Sequence, residues 1–248
     1  MTKYQVGADA LNELNKEEGG GSNAEFTSFK SGTTLYVKAL GTADLISFFS
    51  YGIYKQLNSF VAKEPSKKSA NGFPVADFTP FDLAWKYHKD QSQEWTDAHG
   101  QEASKYRAKQ RFAMGFFDLT SGEPIIIDVS KAQAQAIHGV IKKYEKRLGK
   151  LAFELSKTGQ STQTTVSLAP VLDFDEDLTD AQRANFDKAP AEFDMSLFDG
   201  LLFEVDNATQ IGYLTQVGFD VSLIGLEKPV AGGDNGEPVD IEDSELPF

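Results

Sequence analysis

Polar and apolar residues alternate along Thr33–Leu40, with Thr33, Leu35, Val37 and Ala39 on one side and Thr34, Tyr36, Lys38 and Leu40 on the other. A period of two is that of a strand, whose successive side chains point to opposite faces. Phe26–Lys30 precedes it and Ser31-Gly32 supplies a tight turn, so the two stretches are expected to form a β-hairpin. Leu45–Tyr54 is rich in aromatics and reads as a strand or a short helix. Lys105–Phe112 carries a base at every second position. As a strand it sets Lys105, Arg107, Lys109 and Arg111 on one face and Tyr106, Ala108 and Phe112 on the other, with Gln110 the imperfect member. A helix would scatter those charges around its axis. The strand is expected to run on through Met114, Phe116 and Phe117 to Asp118. A turn at Thr120–Pro124 and an apolar strand at Ile125–Val129 follow.

Ser130 is a good helix N-cap. Lys131–Leu148 places Ala134, Ile137, Ile141, Tyr144 and Leu148 on one side, a helical period, and Gly149 ends it. Leu151–Leu155 and Thr164–Leu168 form a second hairpin-like pair around Lys157–Gln160. Residues 63–104 read as a long connection marked by Pro65, Pro74 and Pro80, with Trp85, Tyr87 and Trp95 within it. Beyond Pro170 a helix is expected at Thr179–Lys188, with amphipathic pieces at Ala191–Leu202 and Ala208–Val217. Strands in succession, one helix, then strands again favour an antiparallel barrel or sheet over a doubly wound fold. The expected class is mainly β (α+β): an OB-fold-like antiparallel five-stranded barrel with an inserted helix. Four segments are expected. They are an N-terminal arm and linker (1–22, helical around Ala8–Leu14, jointed at Gly19–Ser22), a body (23–170), an acidic helical extension (171–226) and a disordered acidic tail (227–248). The extension packs on the body or across a homodimer.

Charge changes this picture. The 248 residues carry a net charge of −13, which argues against nucleic acid. Residues 171–248, however, hold 19 Asp/Glu and 3 Lys/Arg, a net of −16, which leaves residues 1–170 at +3. Within 101–170 there are 11 bases and 6 acids. A basic body with an acidic C-terminal third points to a nucleic-acid or partner-binding role. The chain has no cysteine. His88 and His99 lack a second pair of ligands at zinc spacing, so neither a metal nor another cofactor is expected. No nucleophile elbow, Walker loop or dinucleotide fingerprint is present, and Asp173/Asp175 sit in a charge run typical of solvated surface, so catalysis is not expected. No apolar run approaches membrane-spanning length and the N-terminus lacks a signal-peptide hydrophobic region, so a cytoplasmic protein without a membrane partner is expected.

Cations interleaved with aromatics suit a single nucleic-acid strand, because amines neutralise phosphates and rings stack on bases. The candidate contacts are Lys38, Phe48, Tyr51, Tyr54, Lys55, Lys105, Tyr106, Arg107, Lys109 and Arg111. The chain ends Asp240-Ile241-Glu242-Asp243-Ser244-Glu245-Leu246-Pro247-Phe248. An ordinary solubilising tail explains the acids but not the apolar tip. A peptide that plugs Phe248 into a pocket while its acids meet a basic rim explains both.

The closing residues Glu242–Phe248 resemble the acidic tip of bacterial single-stranded DNA-binding proteins, which end in acids followed by Ile/Leu-Pro-Phe. The body over roughly residues 25–170 resembles in layout the phage-encoded helix-destabilising proteins of the T-even type, through the basic-aromatic strand Lys105–Phe117, the Gly-Glu-Pro turn, the helix Lys131–Leu148 and the hairpin after it. The resemblance implies an OB-fold that coats single-stranded DNA during replication, recombination and repair, in the host cytoplasm if phage-encoded. It also implies that Asp240, Glu242, Asp243, Glu245, Leu246, Pro247 and Phe248 recruit replication and recombination proteins and compete with DNA. The zinc of the T-even type is not implied, because the insertion 63–104 has no cysteine. The rival readings are an annealing or recombination mediator and an interaction protein that does not bind DNA.

Overall fold

A computed structural model describes residues 25–160 and 163–227. Its centre is a ten-residue strand, β6 (Lys109–Asp118). Two shorter strands lie end to end along one edge of it, both antiparallel. β1 (Thr34–Lys38) pairs at Lys38↔Phe117 and Val37↔Asp118, and β2 (Leu45–Ile53) pairs from Leu45↔Met114 to Ser50↔Lys109. The chain bulges out between them. Asp44 pins that bulge by accepting from Gly41 N at 2.6 Å through its carboxylate and from Gly115 N at 2.8 Å through its carbonyl. The other edge of β6 pairs with β7 (Glu123–Ser130) across a turn in which Gly122 has a φ of 75°, a left-handed value glycine adopts without strain. The Asp118 carboxylate accepts from Thr120 N and Ser121 N and closes the turn. β8 (Phe153–Thr158) pairs with β1 and β9 (Thr165–Pro170) with β8. β3 (Leu57–Ala62) pairs with β2, and β10 (Glu204–Val205) joins β3 in parallel. The fold is therefore mixed α and β with a mostly antiparallel eight-stranded sheet. The expected barrel does not close: β7 and β9 make no ladder among the described residues, and the helix α3 (Lys131–Lys143) packs against β9, β6 and β7.

The helices begin where side chains satisfy their first amides. A capping box of Thr79 and Asp82 starts α1 (Pro80–Gln91), and Pro80 costs nothing there because its missing N–H is already an orphan position. Asp97 caps α2 (Ala98–Tyr106), and Ser130 with Gln133 caps α3. Two short helices follow β9, α4 (Phe174–Asp177) and α5 (Asp180–Lys188), the latter boxed by Thr179 and Gln182. Asp206 caps α6 (Asn207–Gln216).

Each face of the sheet has its own cover. On one face Val37, Met114, Phe116, Ile127, Val129, Phe153 and Leu155 pack on Ala134, Ile137 and Ile141 of α3. Further along it, Tyr51, Ile53 and Phe60 pack on Phe81 and Ala84 of α1, Leu214 of α6 and Phe219. The opposite face is covered by the chain after β9. Leu178 and Phe186 cover Phe117 and Leu119, while Phe193, Phe198 and Leu201 cover Ala113 and Ile126. Residues 171–226 thus pack in cis on the body.

Several local expectations change. Lys105–Phe112 is not one strand: α2 runs to Tyr106, Arg107 is its C-cap and β6 starts at Lys109. The apolar alternation fits either element here, and burial of Tyr106 against Phe81 and Phe219 settles the helix. Phe26–Lys30 forms no strand with Thr33–Leu40, although the turn exists, with Thr33 N donating to Lys30 O and Gly32 at φ 87°. Instead Thr27 N donates to Ile126 O on β7. Leu45–Tyr54 resolves to a strand ending at Ile53, and β3, unforeseen, completes a hairpin with it. The supposed loop 63–104 holds a small sheet of β4 (Lys67–Lys68) and β5 (Pro74–Ala76), then α1 and most of α2. The helix after Ser130 stops at Lys143, and a 3-10 turn covers Glu145–Lys150. The expected arm and linker at 1–22, and the tail from 228 on with its Asp240–Phe248 tip, lie outside the described residues.

Candidate nucleic-acid interface

The cover on the second face is incomplete. Where it stops, a groove of about 860 Å³ remains. Its floor is Phe48 and Ser50 of β2 with Ser59 and Val61 of β3. One wall is the segment 25–31, the other is Leu201–Phe203, and Asp128, Lys157, Gly159 and Gln160 close one end. These positions converge because side chains opposite one another in an antiparallel ladder share a face. Ser50 pairs with Lys109 and Val61, and Phe48 with Arg111, so Lys109 and Arg111 share the face of the groove floor.

Arg111 Nε donates to Asp128 Oδ1 at 2.8 Å, with the two side chains 14% and 21% exposed. Burial pushes the Asp128 carboxyl up, opposed by the hydrogen bond and charge of Arg111. Lys157 lies over Phe29, its Nζ 5.7 Å from the ring centre. Burial lowers its amine and the charge of Arg111 lowers it further, while Asp128 pulls the other way. Lys30 is exposed on the wall. Phe26 and Phe48 form a tilted ring pair 6.3 Å apart, and Phe203 is 64% exposed. The groove thus joins cations to accessible rings. Among the described residues, Glu25 is the one carboxylate in its lining besides Asp128.

The candidates read from the sequence scatter. Phe48 lines the groove, and Lys109 and Arg111 lie on its face. Lys38 shares that face but is spent under α5: its Nζ donates to Phe186 O at 3.0 Å and sits 4.0 Å from the Phe186 ring centre. Tyr51 is 3% exposed, donates to Asp82 at 3.0 Å and accepts from Thr79, and burial, then Asp82, pushes its hydroxyl well up. It is a core residue. Tyr106 is likewise buried, stacked on His88. Lys105 ion-pairs with Glu102 at 2.6 Å on α2. Tyr54 and Lys55 form the exposed β2–β3 turn outside the groove lining. Arg107 lies over Phe73, 4.6 Å from its ring centre.

Lys30, Lys157, Phe26 and Phe203 line the groove and are not among the candidates read from the sequence. Lys30 and Lys157 stand near turn glycines, a weak signal. Only the β1–β8 pairing joins them, through Gly32 N donating to Lys157 O at 2.7 Å and Lys157 N to Thr33 O at 3.0 Å. His88 and His99 do meet, Nδ1 to Nδ1 at 3.0 Å, but no cluster of three metal-ligating side chains occurs among the described residues. Nor is any described helix long and apolar enough to cross a membrane.

No family model, curated protein or solved structure matches this chain.

Proposed function

We propose that the chain is a non-enzymatic, sequence-independent single-stranded DNA-binding protein of phage type, acting in the cytoplasm in replication, recombination and repair. The observation that carries the reading is the groove itself: Lys30 and Lys157 beside Phe26, Phe48 and Phe203 on a floor of strand side chains. Amines there neutralise successive phosphates, and rings accept any base because every base has a π-face. Duplex DNA, with its bases already stacked, cannot use the rings.

Strand connectivity supports an OB-type ancestry for the body. β1 and β2 act as one long first strand, β6 and β7 as the second and third, α3 follows, and β8 and β9 are the fourth and fifth. The departure is the open seam between β7 and β9. In this reading the acidic tip at Asp240–Phe248 recruits replication proteins and competes with DNA for the basic surface.

Fluorescence anisotropy with single- and double-stranded oligonucleotides at two salt concentrations tests the proposal. Single strands of any sequence are expected to bind more tightly than duplex, with affinity falling steeply as salt rises. A Lys30→Ala/Lys157→Ala double variant is expected to lose about tenfold in affinity and to flatten the single-strand salt slope by about 1.4. Wild-type protein that ignores single strands at low salt would falsify the proposal.

A further inference from the structure

On the other side of the β2–β6 ladder stands a stack of side chains that the groove does not use. The β4–β5 turn carries Phe73, still 37% exposed. Its ring stacks on Trp85 of α1 at 5.8 Å, with an interplanar angle of 26°. The Arg107 guanidinium carbon lies 4.6 Å from the same ring centre. The turn is seated close: a Cβ at Gly72 would come within 3.2 Å of the Phe49 ring. A buried pair, Lys68 Nζ to Asp82 Oδ1 at 3.0 Å, ties β4 to α1 beneath it.

The charges of this region are informative. Asp82 is taken by Lys68, Asp77 by Lys67 and Glu102 by Lys105. Among the described residues neither Arg107 nor Lys109 has an ion-pair partner. Lys109 is exposed at the start of β6, opposite the groove residue Ser50. Arg107 is two residues earlier, at most about 7 Å of chain away. Two cations without an ion-pair partner among the described residues therefore lead from the groove, over the end of β6, to Phe73. An arginine held on a ring gives up less freedom when it takes a phosphate than a free side chain does.

The geometry points to Phe73 and Arg107 as a second contact for the same single strand, reached after it leaves the groove over Lys109. This rests on the single-strand reading above. Arg107 takes a phosphate, and a base stacks against the exposed part of Phe73, with Trp85 close enough to report it.

The test uses the full chain carrying Trp95→Phe, an exposed position, which leaves Trp85 as the only tryptophan. The probe is labelled oligo-dT of about 16 nucleotides, the upper end of the site size for one such fold. Trp85 emission is expected to quench on binding. Arg107→Ala and Phe73→Ala are each expected to weaken binding about tenfold, the cost of one lost stack or charge-assisted contact. Arg107 is a surface cap, so its variant folds independently of how the Phe73 turn tolerates truncation. Binding with Trp85 unquenched, or wild-type affinity in both variants, overturns the second contact and leaves the groove standing. Absence of any oligo-dT binding overturns both.

Discussion

Arg111 was the plainest cation in the basic run, and its surroundings give it a structural task. Its partner Asp128 is buried enough that its carboxyl is pushed up even beside the guanidinium. Removing one member of such a pair leaves a buried charge uncompensated. Arg111→Ala is expected to cost about 3 kcal/mol in urea denaturation, whereas Arg111→Met with Asp128→Leu regains most of it. Loss of DNA binding in Arg111→Ala would therefore mix folding with contact, and Lys30, Lys109 and Lys157 are cleaner probes. His88 offers a second measurable effect. Burial lowers its pKa from 6.5, Glu102 raises it, and His99 and Lys105 lower it again. A histidine depressed in the fold binds more protons when unfolded, so stability is full above about 6.5 and falls as pH drops below it. The melting temperature is expected to decline between neutral and mildly acidic pH. His88→Phe, which keeps the ring contacts with Tyr106 and Phe219, should flatten that decline; an unchanged slope would reject the assignment.

The strands and helices differ in how openly the chain announces them. β7, α3 and the β8–β9 hairpin carry their period, cap and turn within a few residues; each forms near where that pattern places it, although α3 stops at Lys143, short of the expected Leu148. α1 and α2 hide because Pro80 reads as a breaker when it is the first helical residue, and because their exposed sides are polar. The stripe Lys105–Arg111 misled because alternation over eight residues does not exclude a helix end followed by a strand. The seating of the 171–202 segment is invisible locally, since partners such as Phe117, Ala113 and Ile126 are more than fifty residues away. Gly115 marks that seating, because a side chain there would run into the Phe193 ring. Gly115→Ala is expected to destabilise by about 1–3 kcal/mol and to speed proteolysis between residues 190 and 203; unchanged cleavage would mean the segment is not held there.

Across the molecule, the acidic third is two things. Residues 171–226 are a structural cover in which Leu178, Phe186, Phe193, Phe198 and Leu201 pack on the sheet and the acids face water, so most of their charge is a solvated surface. The remaining seven acids and one base of residues 227–248 have no such packing pattern in their sequence. If that stretch competes with DNA, deleting 240–248 preserves or tightens oligonucleotide affinity at low salt, leaves the melting temperature unchanged and abolishes partner capture. Weaker binding after the deletion would count against competition.

Composition and local periodicity were enough to establish a mixed fold with antiparallel strands, the main helix with its Ser130 cap, and the separation of a basic body from an acidic C-terminal region. These depend on side-chain spacing along the chain, which any contiguous window contains. Which cations stay available was decided by tertiary structure alone. Lys38 ends under α5, Lys105 on Glu102 and Arg111 on Asp128, while Lys30 and Lys157 meet at one end of a groove across the β1–β8 pair. Charge is written in the sequence, but whether a charge is already neutralised depends on its neighbours: for Lys105 a helix turn brings Glu102 near, and for Lys38 and Arg111 the partners are brought near only by strand pairing and packing.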